Sequence, residues 1–275
     1  ASSAASDVYK RQPLFMITVT VTNQKGGVGK TSTAHALITG LYAYGYKVLA
    51  IDLDPQTNLT YTSGNFPDLP TLYDAFTGKA SIQDVITKSR VGYDVAPGDI
   101  SFSSADMEFT AKNKTFILKG LLEPIKENYD YCIIDTPPTL GILTINALSA
   151  SDKAIIPMNA DIYSAQGLSQ LWSLMDSVRT YCNPNLIAAG ILINRFNARS
   201  VINRQINDSI YDIAKTLKTH VFMSHIREAV AIKEVQYMQG SLFRDYPSAK
   251  VTSDYWHFID EFLGKAVVLN TITVS

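Results

Sequence analysis

Short apolar runs alternate along the chain with longer segments whose apolar residues recur every three or four positions. The short runs are rich in β-branched residues and predict buried strands, whereas the longer segments predict helices with one face on a core. The predicted strands are residues 16–21, 47–51, 93–96, 131–134, 153–158 and 186–193. The predicted helices are residues 31–44, 72–76, 82–88, 115–128, 142–150, 165–181, 202–217 and 254–263. This alternation predicts an α/β fold in which helices cover both faces of a mostly parallel, twisted sheet.

Length and composition favour one globular domain. The chain has 275 residues, of which 46% are hydrophobic and 18% charged, and we find no linker rich in proline, glycine or serine. A chain of this size fits a single α/β domain. We expect residues 1–15 to be a foreign or disordered leader, residues 16–264 to form the domain, and residues 265–275 to be a C-terminal extension.

Charge, hydropathy and cysteine content exclude several classes of protein. The formal net charge is −1, so any nucleic-acid binding must come from a local basic patch. No stretch approaches the roughly 20 apolar residues of a membrane span. Cys132 and Cys182 are isolated, which argues against a disulfide framework or a metal cluster.

A glycine-rich segment lies between the first predicted strand and the first predicted helix. It reads NQKGGVGKT from position 23 to position 31 and lacks the first glycine of the common GxxxxGK[ST] pattern. Its three glycines still allow a tight bend that points backbone amides at phosphate oxygens. Lys30 would carry charge to the β- and γ-phosphates, and the Thr31 hydroxyl is suited to Mg²⁺. The predicted phosphate-binding residues are Lys25, Gly26, Gly27, Val28, Gly29, Lys30, Thr31 and Ser32.

Acidic residues follow two further predicted strands. Asp52 and Asp54 come after the strand at 47–51, and Asp135 after the strand at 131–134. Ligands bind at the carboxyl ends of strands in open parallel sheets. Asp135 is suited to hold the water shell of Mg²⁺, and hydrolysis needs a group that orients the attacking water. Asp54 is the first candidate for that task and Asp52 the second. The predicted metal-site residues are Thr31, Asp54 and Asp135.

Four segments together resemble the ParA/Soj family of chromosome and plasmid partition ATPases, within the wider MinD-type group with deviant phosphate loops. They are KGGVGKT at 25–31, DLDPQ at 52–56, IIDTPP at 133–138 and LTINALSASDKAIIPM at 143–158. The resemblance runs from about residue 16 to about residue 263. It implies ATP and Mg²⁺ as cofactors, and a slow, partner-stimulated hydrolysis of ATP to ADP and phosphate.

The resemblance also implies a role for each matching residue. Lys25 would cross a dimer interface to the phosphates of the other subunit, whereas Lys30 and Thr31 would serve their own subunit. Asp54 matches the residue assigned to water activation. Asp135 matches the acid at the end of the second nucleotide-binding strand. Lys25, Lys30 and Asp54 are therefore the predicted catalytic residues.

Two positions nearer the C-terminus complete what the resemblance implies. Asn194, which follows a late strand, corresponds to a position that commonly contacts the adenine edge. Arg199 falls where a DNA-contacting arginine is usual in this family. Residues 224–234 depart from the family pattern, so a second basic site is not placed. Other basic residues considered for DNA contact are Arg195, Arg204, Arg227, Lys233 and Lys250.

The expected function is DNA segregation. An ATP-dependent homodimer would bind double-stranded DNA non-specifically, and a ParB-like centromere-binding protein would stimulate hydrolysis and release, moving a plasmid or chromosome. This predicts a cytoplasmic, nucleoid-associated protein of a bacterium or archaeon. The alternative is a MinD-like positioning or regulatory ATPase acting on a protein assembly or membrane site. Membrane attachment is disfavoured because the last helix carries Asp254, Asp260 and Glu261 on its polar face.

Overall fold

Strands of the protein form one sheet in the computed structural model, which describes residues 15–109, 112–161, 164–196 and 201–265. The sheet has eight strands in the order β3-β4-β2-β5-β1-β6-β7-β8. Paired neighbours run parallel except β3 and β4, which are antiparallel. This confirms the predicted α/β fold with a mostly parallel sheet. The strands are β1 Ile17–Val21, β2 Val48–Asp52, β3 Thr87–Lys88, β4 Asp94–Ala96, β5 Tyr131–Asp135, β6 Lys153–Asn159, β7 Ile187–Asn194 and β8 Val221–Ile226.

Helices cover both faces of the sheet. They are α1 Lys30–Ala43, α2 Asn58–Ser63, α3 Leu72–Phe76, α4 Ile82–Val85, α5 Ala105–Glu108, α6 Ile117–Leu122, α7 Ile142–Ala150, α8 Ser164–Tyr181, α9 Val201–Thr216, α10 Val230–Met238, α11 Leu242–Asp245 and α12 Lys250–Phe262. Short 3₁₀ helices occupy Ile100–Ser104, Lys112–Phe116 and Glu123–Ile125.

The alternation of side chains along β2 shows how the core is divided. Val48 and Ala50 pack on the face that is covered by α1 and by α10 to α12. Leu49 and Ile51 point to the opposite face and pack with α3 to α7. Because successive residues of a strand face opposite sides, a strand buried on both faces is apolar throughout.

Three predicted helices differ from the structure in extent. The helix expected at 115–128 is instead a 3₁₀ segment that ends at Phe116, then α6, then a second 3₁₀ segment; Pro124, which has no backbone N–H to donate within an α-helix, accounts for the end of α6. The helix expected at 82–88 ends at Val85, and Thr87 and Lys88 instead pair with β4. The last helix begins at Lys250, four residues earlier than the pattern predicted.

Strand β8 and helices α10 and α11 have no counterpart among the predicted elements. Strand β8 lies at one end of the sheet order, so within the described part of the chain one side of it has no strand neighbour. The carboxylate of Glu261, on α12, accepts hydrogen bonds from the backbone N of Met223 at 2.7 Å and of Ser224 at 3.1 Å. A side chain therefore satisfies two amides on this edge of the sheet.

Strand register brings the polar strand ends together. Asp135 of β5 is in register with Val21 of β1 on one side and with Asp52 of β2 on the other. Asn159 of β6 and Asn194 of β7 are likewise paired. The parallel order thus gathers both strand-end aspartates, both asparagines and the glycine-rich loop after β1 at one edge of the sheet.

Candidate nucleotide-binding site

The glycine-rich loop is held at both ends by asparagines. Asn23 donates from Nδ2 to the carbonyl O of Pro157 at 2.8 Å, and its Oδ1 accepts from the N of Lys25 at 3.0 Å. Gly29, the residue before α1, has φ +89°, and a Cβ there would lie 2.7 Å from Nδ2 of Asn194. Both the backbone angle and the close approach require glycine at this position.

The side chain of Lys25 forms an ion pair with a residue outside this loop. Its Nζ lies 2.6 Å from both carboxylate oxygens of Asp161, just after β6, and each side chain is about a third exposed, at 34% and 33%. The Nζ of Lys30 instead lies 3.4 Å from the carbonyl O of Lys25. The two lysines of the motif therefore take different directions from one loop.

Thr31 and Asp135, two of the three residues predicted to hold a metal, contact each other. The Thr31 hydroxyl donates to Oδ2 of Asp135 at 2.6 Å, while Oδ1 of Asp135 is buried without a hydrogen-bond partner among the described residues. Burial, reinforced by repulsion from Asp52, raises the pKa of Asp135 well above its usual value. A hydroxyl and a carboxylate with an unused buried oxygen fit Mg²⁺, which prefers oxygen ligands.

The structure separates the two aspartates that end β2. Asp52 is fully buried and accepts from the N and Oγ1 of Thr60, at 2.8 and 2.7 Å, and from the N of Asp54 at 3.1 Å. Burial raises the pKa of Asp52 to about 6. Asp54 accepts from the N of Gln56 at 2.9 Å and lines the cavity beside the loop. Asp52 therefore shapes the segment that carries Asp54, and Asp54 faces the site.

Lys30 balances this acidic cluster. Its ammonium is nearly buried, and burial lowers its pKa, whereas attraction to Asp135 and Asp54 acts in the opposite direction. Burial likewise raises the pKa of Asp54, while the amide of Gln56 and the charge of Lys30 lower it. These charges lie at the helix N-terminus, whose free amides favour anions.

Two cavities meet along the first turn of α1. We call the first the phosphate-side cavity; it has a volume of about 500 Å³ and includes Gly26, Lys30, Thr31 and Asp54 in its lining. The second, the base-side cavity, has a volume of about 120 Å³ and is lined largely by the end of β7, residues 226–229 and α10. The lining common to both cavities is Gly29, Ser32, Arg195 and Gln236.

Asn194 forms part of the base-side wall. Its Nδ2 donates to the carbonyl O of Val28 at 2.8 Å and to Oγ1 of Thr33 at 3.2 Å. These two acceptors fix the orientation of the amide. Its Oδ1 is buried without a partner among the described residues, so an acceptor is available for a donor such as an exocyclic amine.

The basic residues considered for DNA contact are in different surroundings. Arg227 pairs with Asp254 through Nε at 2.6 Å and Nη2 at 2.7 Å, and it lines the base-side cavity together with Lys233. Lys250 is exposed at the start of α12. Arg199 lies outside the described residues, as does the side chain of Arg204.

The sequence analysis did not predict that Asp161 and Gln236 belong to the site, or that Arg195 lines both cavities. Asp161 follows the end of β6 closely, so the same strand-end argument used for Asp135 applies to it. Gln236 lies on α10, for which the apolar pattern predicted no helix.

Comparisons with known proteins identify the family. A family model described as an AAA domain matches residues 16–188. The chain is 38% identical over 220 residues to the sporulation initiation inhibitor protein Soj of Bacillus subtilis, covering 78% of this chain and 86% of that protein. The chain belongs to the ParA/Soj family of partition ATPases. This ParA/Soj protein is also 35% identical over 230 residues to the chromosome partitioning protein ParA of Caulobacter vibrioides, covering 81% and 83% of the two chains.

Solved structures agree with the fold of this ParA/Soj protein. Cobyrinic acid a,c-diamide synthase from Mycobacterium smegmatis, with a bound ATP analogue and magnesium, has a TM-score of 0.79 at 27% identity, covering 90% of this chain and 94% of that one. A variant of Cyanothece McdA in complex with ATP has a TM-score of 0.79 at 26% identity, covering 91% and 97%. Among the described residues, no helix is long and apolar enough to cross a membrane.

Proposed function

We propose that this ParA/Soj protein is an ATP-driven DNA-partition switch whose ATP-bound form is a homodimer. One observation carries the proposal. The phosphate-side cavity is lined by Lys30 and by Gly26 and Gly27, but its lining does not include Lys25, which lies against Asp161. A lysine in the phosphate loop that turns away from its own phosphate cavity is positioned to serve the nucleotide of a second copy.

ATP and Mg²⁺ fit the residues that form the site. Lys30 would contact the β- and γ-phosphates, and Thr31 with Asp135 would hold the metal, with Asp54 beside it. The bound ion would neutralise charge that develops on the phosphates during hydrolysis. The unused Oδ1 of Asp135 and its raised pKa support this assignment, since a buried carboxylate gains most from a cation.

Asp54 is our candidate for orienting the attacking water. It is a nearly buried carboxylate that lines the phosphate-side cavity, and Asp52 holds its segment in place through Thr60. Asp52 itself already accepts three hydrogen bonds, so it has little remaining capacity for a water. The geometry thus favours Asp54 over Asp52.

Assembly would follow from competition for Lys25. In the single chain, Lys25 pairs with Asp161 at 2.6 Å. A partner's ATP would offer a larger concentration of negative charge, and the ammonium would exchange one anion for the other. Because ATP would bind the dimer better than the monomer, nucleotide binding and dimerisation are thermodynamically linked.

DNA binding and release complete the proposal. A dimer would carry twice as many exposed cations as a monomer. Because the affinity for DNA rises with the number of phosphates contacted, the dimer would bind DNA more tightly than the monomer. Stimulated hydrolysis by a ParB-like protein would return the chain to monomers and release the DNA. In a bacterial or archaeal cell this cycle would hold the protein on the nucleoid.

The proposal can be tested by retention of random-sequence duplex DNA on a filter. We expect retention with ATP and Mg²⁺ but little with ADP, and we expect it to fall steeply between about 50 and 200 mM salt. The matched control is Lys25→Ala, which should lose the ATP-dependent part of the signal. ATP-dependent dimers that retain no DNA at low salt would favour the alternative, a positioning or regulatory ATPase acting on a protein assembly or membrane site.

A further inference from the structure

Gln236 lies where the two cavities of the cleft meet. Four residues line both cavities: Gly29, Ser32, Arg195 and Gln236. If the base occupies one cavity and the terminal phosphates the other, as the proposed function requires, the ribose and α-phosphate must pass this junction. Side chains at the junction are therefore close to the middle of the nucleotide rather than to either end.

One hydrogen bond joins Ser32 and Gln236, two of the three polar side chains at the junction. Gln236, on α10, donates from Nε2 to Oγ of Ser32 at 3.1 Å. Ser32 is the third residue of α1, in the first turn, whose backbone amides face the phosphate-side cavity. Both side chains are half-buried.

The direction of this bond has a chemical consequence. A serine hydroxyl has one proton to donate and lone pairs that accept. When the Ser32 oxygen accepts from Gln236, its proton is left to donate elsewhere, and the amide dipole makes the hydroxyl a stronger donor. An acceptor at the same place would instead draw the proton away from the cleft.

We infer that Gln236 is a positioning residue for nucleotide binding: it orients the Ser32 hydroxyl to donate to the α-phosphate. The inference rests on the proposed nucleotide site and adds a residue to it from outside the phosphate-loop motif. It also assigns a role to α10, which through Gln236 connects the wall of the base-side cavity to the first turn of α1.

Calorimetric titration of the full chain with ADP and Mg²⁺ tests the inference. We expect Gln236→Leu and Ser32→Ala each to weaken ADP binding about five- to tenfold, as for loss of a hydrogen bond to a charged group. The double variant should bind about as weakly as either single variant, because both changes remove the same interaction. Losses that multiply in the double variant, or a Gln236→Leu affinity within about twofold of the unchanged chain, would overturn the inference.

If the Gln236–Ser32 hydrogen bond served only to hold α10 against α1, the two substitutions would also have non-additive effects on ADP affinity. A second measurement therefore tests the contact with the α-phosphate directly. In ADPαS a sulfur replaces one α-phosphate oxygen and is a weaker acceptor. We expect one diastereomer to bind the unchanged chain more weakly than ADP does, and this difference to shrink in Gln236→Leu and in Ser32→Ala. A difference of the same size in all three proteins would assign Gln236 a purely structural role.

Two further variants keep the experiment decisive. Gln236→Glu preserves side-chain length but accepts rather than donates and adds charge, so its loss of affinity should exceed that of Gln236→Leu. Gln239→Asn is the control, since Gln239 donates to the carbonyl O of Tyr61 at 3.0 Å and neither cavity lining includes it. Its ADP affinity should stay within about twofold of the unchanged chain. An unchanged chain that does not bind ADP would overturn the nucleotide site and this inference together.

Discussion

The phosphate-side and base-side cavities differ in how the chain builds them. Most of the phosphate side comes from the residues that follow β1, β2 and β5, and Arg195, Gln236 and Tyr237 complete its lining. The base side depends on β7, β8 and α10, and its wall is joined to the glycine-rich loop by bonds such as that between Asn194 and Val28, which are 166 positions apart. The phosphate side thus depends mainly on short motifs, whereas the base side depends on packing between distant segments.

The two sides also differ in their electrostatics. The phosphate side contains buried ionisable groups, Asp52, Asp54, Asp135 and Lys30, whose pKa values are all shifted by burial. The base side combines a buried neutral amide, Asn194, with exposed cations such as Lys233. We therefore expect substitutions on the phosphate side to abolish dimerisation or ATP hydrolysis. Substitutions on the base side should instead alter the affinity for nucleotide and the selectivity between bases.

The largest expected effect follows from Lys25→Ala. ATP-dependent dimerisation, followed by light scattering during size exclusion, should be lost, because no cation would reach the partner's phosphates. ADP binding by the monomer should persist, since the lining of the phosphate-side cavity does not include Lys25. Lys88→Ala, which breaks an ion pair between an exposed lysine and Asp94, is the control and should dimerise normally. A Lys25→Ala protein that still dimerises with ATP would refute the role across subunits.

Asp54→Ala should reduce ATP turnover on the order of 100-fold or more, because the attacking water loses its orienting carboxylate. Phosphate release measures this, and size exclusion should show that the ATP dimer persists. Asp54→Asn separates charge from structure, as it keeps an acceptor for the amide of Gln56. Turnover at the level of the unchanged chain in either variant would remove Asp54 as the water-orienting residue.

On the base side, Asn194→Ala should lower ADP affinity about tenfold and leave GDP affinity nearly unchanged, so that selectivity falls. The physical reason is the buried Oδ1, an acceptor that suits the amino group of adenine and opposes the carbonyl of guanine. Calorimetric titration with both nucleotides gives the ratio. Thr33→Val removes one partner of the Asn194 amide and should leave the ratio intact. An undiminished ratio in Asn194→Ala would mean that another group selects the base.

The smallest expected effect concerns Asp161→Asn. The change removes the negative charge that competes for Lys25, so dimerisation should reach half-completion at about a two- to fivefold lower ATP concentration, the range set by a partly exposed ion pair. Asp176→Asn, which breaks a surface pair with Arg179, is the control and should not shift the midpoint. A midpoint that rises in Asp161→Asn would mean that Asp161 supports the dimer instead of competing with it.

The phosphate side was largely predictable from sequence, and the reason is physical. A strand, a glycine-rich loop and a helix are consecutive, so local pattern gives their order, and parallel register then brings Asp52 and Asp135 side by side. The sequence pattern ranked Asp54 above Asp52, and the structure shows the difference between them: Asp52 is committed to Thr60 and the amide of Asp54.

The base side was predictable only at Asn194, which ends an apolar strand. Strand β8 was missed because its sequence, VFMSHI, includes polar residues near an edge of the sheet and is not continuously apolar. Helix α10 spans only nine residues, with Val235 as its one buried residue, so its apolar repeat is too short to stand out in a window of about 11 to 18 residues. Gln236 and the Lys25 to Asp161 pair depend on contacts between segments more than 100 positions apart, which local pattern does not encode.

Glu261 has a consequence for how copies of this protein can associate. Its carboxylate already accepts from the backbone amides of Met223 and Ser224, on the exposed edge of β8. An added strand needs such amides as donors, but these two already donate to a carboxylate, whose charge the strand would also meet. This contact therefore opposes growth of the sheet from molecule to molecule at this edge. The nucleotide-dependent association that the proposed function requires would then use other surfaces.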